Sequence, residues 1–297
     1  MSGKIFCKIQ SLHLYPIKSA GGLSVPEVVF DAWGLQRDRE FMVVDDSGRF
    51  QTRRETPQMA EIETEIGGEN LRVRIQGQDY FVPLRADTTP ATEKVRVWKS
   101  EVEADLVEHP GLNEALSKLL ARPVHLVRYG RHSQREVKKS GKAWGRQFRF
   151  ADSANVLVTS EESLHDLNGR LTSPIPMGRF RPNIVVSGDG PWAEDRWASL
   201  RSPQGLTLTI VGGCGRCQII NQDVATGETS SKEPLQRLAE FRRFGSSVDF
   251  GVHAVHTLPS GLAKDADGMG MGPVGTGLGL LKVGMDLEIE INSLSVV

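Results

Sequence analysis

The stretch Phe41-Met42-Val43-Val44-Asp45-Asp46-Ser47-Gly48, residues 41–48, indicates the architecture of the first third of the chain. Four apolar residues are typical of a buried strand, and the Asp-Asp-Ser-Gly run after them is typical of a tight hairpin turn. The pattern recurs at residues 62–84, where Gly67-Gly68-Glu69-Asn70 and Gly77-Gln78 separate three apolar segments. Many short strands joined by tight turns favour an antiparallel barrel or sandwich.

The pattern before this stretch is also that of a strand. Ile5, Cys7 and Ile9 alternate with polar residues, and Leu12 and Leu14 continue a one-faced pattern after a shift of phase. We therefore expect a mainly β protein with a few helices.

Three segments predict helices. Residues 110–120 carry apolar residues at helical spacing after a proline suited to the first turn. Thr159-Ser160-Glu161-Glu162 fits a capping box ahead of an apolar face that ends at Leu171, and Glu233-Pro234 opens a third helix towards Phe241. A glycine-rich stretch at 265–279 is interpreted as a surface loop. A basic stretch between Pro123 and Ala151 is interpreted as a solvated loop, with the alternative that it forms a wall of an anion site or a docking surface for an acidic partner.

The composition is that of a globular protein. The chain has 297 residues, 39% of them hydrophobic and 25% charged, with a net charge of -1. The absence of a basic excess disfavours nucleic-acid binding, and no apolar run approaches the roughly 20 residues that span a bilayer. The start at Met1 opens directly into a strand pattern without a signal-peptide pattern, so we expect a cytoplasmic protein with reduced thiols.

Two of the three cysteines lie in the run Cys214-Gly215-Arg216-Cys217. A neighbouring cation lowers the pKa of a thiol, and the resulting thiolate can act as a nucleophile, a redox partner or a metal ligand. Three cysteines are too few for an iron–sulfur cluster or a zinc site made of four thiolates. His253 and His256 are three residues apart in a strand-like stretch, which disfavours a zinc site of two cysteines and two histidines.

Cationic and hydroxyl side chains cluster elsewhere in the chain. Lys18-Ser19 ends the opening strand, Arg37-Asp38-Arg39 and Thr52-Arg53-Arg54 flank the first turn, and Arg179-Phe180-Arg181-Pro182-Asn183 precedes a strand. Each cluster alone is compatible with a turn or a surface ion pair. Together with an activatable thiol they form the set needed to hold a polyanion beside a soft metal.

The chain resembles MOSC-domain proteins that carry an N-terminal MOSC β-barrel domain, notably the amidoxime-reducing components of mitochondria and their bacterial counterparts. The matching motifs occur in the same order along residues 5–256, and a further short match lies at 282–284. The matching motifs are Tyr15-Pro16-Ile17-Lys18-Ser19, Gly34-Leu35, Arg37-Asp38-Arg39, Phe180-Arg181-Pro182-Asn183-Ile184-Val185-Val186, Ala193-Glu194-Asp195, Trp197, Arg216-Cys217, Asp223, Thr226-Gly227 and Lys232-Glu233-Pro234-Leu235. The resemblance implies an N-terminal β-barrel-like domain at 1–125, a MOSC β-barrel domain at 126–297, and a cofactor between them.

The resemblance also implies a molybdenum cofactor (Mo-molybdopterin), with Cys217 as the protein ligand that completes the coordination of molybdenum. Arg216 is expected to keep Cys217 ionised, and Cys214 to be a small buried neighbour. The positions that match cofactor-anchoring residues, or that are expected to assist them, are Lys18, Ser19, Arg39, Asp152, Ser153, Arg181 and Asn183.

The implied activity is that of a molybdenum-cofactor oxidoreductase that reduces N-hydroxylated small molecules. Because the cysteines left over are too few for a cluster, electrons would come from a separate donor protein. Two alternatives stay open: a sulfur-transfer protein that carries a persulfide on Cys217, and a non-catalytic cofactor carrier. A thiol–disulfide role is disfavoured, since the Cys-x-x-Cys run does not open a helix after a βαβ pattern.

Overall fold

The computed structural model describes residues 4–85, 90–136, 147–259 and 279–292. These residues form a mainly β protein with three α-helices, as the sequence predicts. The strands are β1 (Ile5–Leu14), β2 (Leu23–Val25), β3 (Glu27–Asp31), β4 (Gly34–Leu35), β5 (Phe41–Asp45), β6 (Glu63–Gly67), β7 (Asn70–Ile75), β8 (Gln78–Pro83), β9 (Thr92–Val97), β10 (Ser100–Leu106), β11 (Val124–Arg128), β12 (Val156–Ser160), β13 (Ile184–Ser187), β14 (Trp197–Arg201), β15 (Thr207–Gly215), β16 (Arg243–Phe244), β17 (Ser247–Thr257), β18 (Leu280–Lys282) and β19 (Asp286–Ile291). The helices are α1 (Pro110–Leu120), α2 (Glu161–Asn168) and α3 (Glu233–Phe241).

Seven strands close into a barrel. Their order is β12-β13-β1-β19-β14-β15-β17, and β17 pairs back with β12 to complete the circle. Closure removes unpaired sheet edges. The predicted shift of phase in β1 is a register shift between Ile9 and Ser11, which lets Ile9 and Leu12 both enter the barrel core.

The barrel therefore combines β1, from the start of the chain, with strands that all follow residue 155. Hydrogen bonds of β1 to both β13 and β19 join these distant segments. The domain boundary near residue 125 stays a prediction.

A second core lies in the segment between β1 and β12. The four-stranded sheet β5-β11-β10-β9 and the three-stranded sheet β6-β7-β8 accompany helix α1, and Phe41, Val43, Leu71 and Leu116 belong to one buried cluster. This segment and the barrel each contribute a wall to the site described below.

The tight turn after β5 forms as predicted. The Asp45 carboxylate accepts hydrogen bonds from the main-chain N–H groups of Ser47 and Arg49, at 3.0 and 3.1 Å. Gly48 has φ +72°, and an added Cβ would lie 2.7 Å from the Lys94 carbonyl oxygen. The main partner of β5, however, is β11, and the segment after the turn contributes only the bridge between Val44 and Phe50.

Helices α1 and α3 have the predicted extents, whereas α2 differs at both ends. Its N-cap is Ser160, whose hydroxyl accepts the Ser163 N–H at 3.3 Å. The Glu162 carboxylate accepts a hydrogen bond from that hydroxyl, and the Thr159 hydroxyl donates to the sulfur of Met177. The predicted capping box, which would pair Thr159 with Glu162, is therefore wrong. The helix ends at Asn168, and Leu171 lies beyond it.

Of the two segments predicted to be surface loops, residues 137–146 and 265–278 lie outside the described residues. The first prediction is wrong for residues 124–128, which form β11, and Arg135 and Arg149 are buried instead of solvated.

Glu194 is a buried carboxylic acid in the connection between the barrel strands β13 and β14. It is 0% exposed, and the Ser163 hydroxyl donates a hydrogen bond to its Oε2 at 2.8 Å. Within the described part of the chain its Oε1 has no hydrogen-bond partner. Burial raises the pKa of Glu194 to about 7 from the ordinary 4.5, because a charge is poorly solvated there.

We expect Glu194→Gln to flatten the pH dependence of stability. A carboxyl whose pKa is raised in the folded state binds protons that the unfolded chain has released, so stability falls as the pH rises from 4.5 through 7. The full loss at pH 8 is about 3 kcal/mol. Urea unfolding at pH 5 and pH 8 measures this difference, with Glu240→Gln on the exposed face of α3 as the control. An equal slope in wild type and Glu194→Gln would contradict the prediction.

Candidate cofactor site

A cavity of about 390 Å³ lies between the barrel and the segment that connects β1 to β12. Its walls come from residues 18–98 on one side and 151–253 on the other. All nine residues that the sequence singled out line it, namely Lys18, Ser19, Arg39, Asp152, Ser153, Arg181, Asn183, Arg216 and Cys217. The fold thus brings together residues that are up to 199 positions apart in the sequence.

Cys217 lies where strand β15 gives way to a short 3₁₀ turn at Gln218–Asn221. It is partly exposed, whereas Cys214 in β15 is buried at 6% exposure. The Cys217 side chain makes no capping hydrogen bond to the turn that follows. Its sulfur is therefore the more accessible of the two thiols in the cavity wall.

Arg216 is locked in place by the main chain. Its own N–H donates to the Val248 carbonyl at 2.7 Å, and its guanidinium donates to the carbonyls of Phe250 and Phe180, each at 2.9 Å. Burial would raise the pKa of Cys214, but Arg216 and His253 outweigh it and lower that pKa to about 7. The expected effect of Arg216 on Cys217 stays a prediction.

Lys18 and Asp152 form an ion pair across the cavity wall. Lys18 is buried, and its ammonium also donates to the Phe150 carbonyl at 2.8 Å. Burial lowers the pKa of Lys18 to about 8, against the opposing effect of Asp152. The Trp98 indole N–H donates to the same carboxylate at 3.0 Å, so Asp152 joins both halves of the site.

Arg39 and Arg181 meet at the Tyr15 ring. Their guanidinium carbons lie 4.4 and 4.2 Å from its centroid, and Arg181 donates to the Ala20 carbonyl at 2.7 Å. Burial, followed by repulsion from Arg53, lowers the pKa of Arg181 to about 9. The Asp38 carboxylate pairs with Arg39 but does not restore the ordinary pKa of Arg181, so a further anion in the cavity would stabilise these charges.

Four described non-glycine residues of the cavity wall have left-handed backbone conformations. Ser19, Arg39, Trp98 and Arg181 have φ values of 67°, 46°, 57° and 55°. Each costs about 1 kcal/mol or more for a residue with a side chain. Strain that gathers at one cavity is typical of a functional site.

Asn183 lines the cavity, but its side-chain amide forms hydrogen bonds with the main chain of two strands. The side-chain oxygen accepts the Leu157 N–H at 3.1 Å, and the side-chain nitrogen donates to the His13 carbonyl at 3.2 Å. These bonds tie β1 to β12 beside the cavity. Asn183 thereby holds the wall in shape.

Among the wall residues that the sequence analysis left out of the site, five carry a guanidinium, indole or imidazole side chain. Arg53, Arg54 and Arg179 belong to clusters it had noted, so the basic pattern could have included them. Trp98 and His253 gave no local signal, because a tryptophan beside a strand and a histidine within one are ordinary.

The charge of the cavity wall is strongly positive. Its cationic side chains are Lys18, Arg39, Arg53, Arg54, Arg179, Arg181 and Arg216, and its only carboxylate among the described residues is Asp152. Oriented guanidinium groups and main-chain donors suit phosphate oxygens. The wall therefore favours a polyanionic ligand.

The same residues fit a metal-bearing cofactor that brings most of its own ligands. Among the described residues no group of three or more His, Cys, Asp or Glu could hold a metal ion. A soft metal beside Cys217 would need its remaining ligands from a bound organic group. The buried Nε of Arg179, which has no partner in the described structure, is an additional donor in the wall.

We expect phosphate binding to the cofactor-free protein to weaken as the pH rises through 8. Lys18 loses its charge above its lowered pKa of about 8, and one charge-assisted contact corresponds to roughly tenfold in affinity. Calorimetric titration with inorganic phosphate between pH 7 and pH 9 measures this, with Lys8→Met on the exposed part of β1 as the control. Lys18→Met should bind phosphate weakly and should lack the decrease in affinity near pH 8. A pH profile equal to that of wild type would contradict the role of Lys18 in anion binding.

The fold and the cavity define a mainly β protein with a barrel, a cationic cleft and one accessible thiol in the cleft wall. The chain belongs to the MOSC-domain family: residues 6–123 match the MOSC N-terminal beta barrel domain and residues 145–267 match the MOSC domain. These matches and the strand-rich structure confirm the predicted family and fold class.

Two named relatives are similar over most of this chain. Mitochondrial amidoxime-reducing component 1 of Homo sapiens is 32% identical, over 83% of this chain and 78% of that protein. Molybdenum cofactor sulfurase of Oryza sativa is 31% identical over 82% of this chain, which spans only 32% of that protein's length. The YUAD protein of Bacillus subtilis has a solved structure with a TM-score of 0.44 and 12% identity, covering 98% of this chain and 100% of that chain.

No helix among the described residues is long and apolar enough to cross a membrane.

Proposed function

We propose that this protein is a molybdenum-cofactor-dependent oxidoreductase that reduces N-hydroxylated small molecules. The observation that carries the proposal is one partly exposed thiol, Cys217, in the wall of a cavity whose described lining residues include seven cations and one carboxylate. The similarity to an amidoxime-reducing component supports the same activity. We further propose a cytoplasmic protein that receives electrons from a separate donor protein.

The residues of the cavity have distinct parts in this proposal. Cys217 would supply a soft protein ligand to molybdenum, and Lys18, Arg39 and Arg181 would hold the anionic end of the cofactor. Asp152 orients Lys18, while Asn183 and Arg216 fix the main chain around the site through their hydrogen bonds.

When bound, the cofactor would supply a metal that removes an oxygen atom from the N–O group. The overall reaction consumes two electrons and two protons and releases water with the reduced nitrogen compound. The protein's part is to bind and orient the substrate and to hold the cofactor in a cationic environment.

The direct test is metal analysis and turnover of protein made in a cofactor-competent host. We expect close to one molybdenum atom per chain, and conversion of benzamidoxime to benzamidine when a chemical reductant is present. Metal-free protein from such a host would refute the proposal. Full molybdenum occupancy without turnover of any N-hydroxylated compound would favour a cofactor carrier.

A second candidate is sulfur transfer, favoured by the similarity to molybdenum cofactor sulfurases over most of this chain. An accessible thiol in a cationic wall can carry a persulfide. Mass spectrometry after incubation with a sulfur donor separates the two functions. A stable additional sulfur atom on Cys217, together with little molybdenum, would favour the transfer role.

A further inference from the structure

Trp98 occupies the tight turn between β9 and β10, at the edge of the cavity. It lines the cavity and is 42% exposed. Its φ is +57°, a conformation that favours glycine or asparagine and is costly for a bulky aromatic residue. An exposed aromatic ring held in an unfavourable backbone conformation beside a cavity points to a role in binding.

The indole is fixed in place by its neighbours. Its N–H donates to Asp152 at 3.0 Å, and its ring makes an edge contact with Phe50 at a centroid distance of 4.9 Å. A ring that is both immobilised and partly exposed offers a preformed surface for stacking.

Arg54 lies beside this ring and has donors to spare. Its guanidinium carbon is 4.9 Å from the Trp98 ring centroid. Its ion pair is with Asp152 at 3.9 Å, a carboxylate that is already paired with Lys18. Among the described residues, the Arg54 side chain has no hydrogen-bond partner.

The other wall arginines already have partners within the protein. Arg39 pairs with Asp38, and Arg179 donates to the carbonyls of Ile220 and Asn221 at 3.4 and 3.3 Å. Arg53 donates to the carbonyl of Ser19 at 2.8 Å, and Arg181 and Arg216 donate to main-chain carbonyls as described above. Arg53 is 3% exposed, whereas the Arg54 side chain is 31% exposed. The Arg54 guanidinium is therefore the one best placed to receive an anionic group of an incoming small molecule.

We propose that Trp98 and Arg54 form a rim subsite that binds a planar aromatic ring carrying a carboxylate or phosphate group. This inference rests on the proposed function and names the substrate class: N-hydroxylated aromatic compounds with an anionic substituent. Trp98 stacks on the ring, and Arg54 pairs with the anion. The deeper Lys18, Arg39 and Arg181 remain for the cofactor.

The test compares three substrates: acetamidoxime, benzamidoxime and 4-carboxybenzamidoxime. We expect wild type to prefer the carboxylated ring in kcat/KM by about tenfold over benzamidoxime. Trp98→Ala should lower kcat/KM about tenfold more for both aromatic substrates than for acetamidoxime. Arg54→Gln should lower kcat/KM about tenfold more for 4-carboxybenzamidoxime than for the other two substrates, and Trp98→Phe should retain most of the aromatic preference.

Matched controls come from outside the cavity. Phe81→Ala removes an aromatic side chain that is 56% exposed on β8, and Arg96→Gln removes an exposed arginine on β9. Neither residue lines the cavity. Rim variants that behave like these controls with all three substrates would overturn the inference.

Binding measured by calorimetry separates this inference from the proposed function. If no amidoxime is reduced, the proposed function fails, yet the rim subsite still requires about tenfold weaker binding of 4-carboxybenzamidoxime to Trp98→Ala and to Arg54→Gln. Unchanged binding in both variants would refute the subsite. A loss of molybdenum from Arg54→Gln would assign the residue to the cofactor and would also overturn it.

Discussion

Replacing Cys217 by alanine is expected to remove molybdenum from the purified protein, with the metal content falling by more than about tenfold. Changes in the groups that merely support a metal ligand already cost 10- to 100-fold, and this change removes the proposed ligand itself. Elemental analysis of protein from a cofactor-competent host measures the effect. Because the Cys217 side chain makes no capping hydrogen bond, the fold should survive the substitution, and circular dichroism checks this.

Cys214→Ala is the matched control, since it removes a thiol from the same cavity wall. It should retain most of the metal and lose about 1 kcal/mol of stability, in keeping with a small buried side chain. The opposite pattern, with metal lost from Cys214→Ala and kept by Cys217→Ala, would transfer the ligand to Cys214.

Arg181→Met is expected to lower molybdenum retention by at least about tenfold while changing the stability of the cofactor-free protein by no more than about 1 kcal/mol. Arg181 is one of the buried cations proposed to hold the anionic end of the cofactor, and a charge-assisted contact contributes 1.5–3 kcal/mol or roughly 10- to 150-fold. Its lowered pKa of about 9 shows that burial and Arg53 disfavour its charge in the absence of an anion. Removing that charge should therefore offset the lost bond to Ala20.

Metal analysis and urea unfolding of the cofactor-free form measure these two effects separately. Arg201→Met, at the exposed end of β14, is the control for a lost arginine outside the cavity. Arg181→Lys should recover part of the metal, because it keeps the charge but lacks the guanidinium fork. Full metal retention in Arg181→Met would remove Arg181 from the cofactor site, and a large loss of stability would assign it a structural role.

Local elements follow closely from the sequence. The extents of α1 and α3 match their apolar periodicity and their prolines, and the register shift in β1 lies where the alternation changes phase. The end of α2 was missed because the Asn168 side chain pairs with the main chain of Ile175, a contact that spacing alone does not reveal.

The sequence predicted the chemical character of the candidate site but not all of the residues that line it. Ordered motifs and the family resemblance identified nine residues that line one cavity. Trp98 and His253 were missed, since neither departs locally from an ordinary strand or turn. Arg216 was expected to act on Cys217, and its bonds to Phe180 and Phe250 place it where its charge lowers the pKa of Cys214.

What the sequence determined by itself is many of the strands and turns, the approximate positions of the helices, and the chemical types gathered in its motifs, because backbone preferences and hydrophobic periodicity act over a few residues. Only the tertiary structure decided that β1 lies between β13 and β19, that Lys18 pairs with Asp152, and that Trp98 reaches the same carboxylate. These contacts join residues more than 50 positions apart, and they depend on the closure of the barrel and the packing of two cores, which no local pattern encodes.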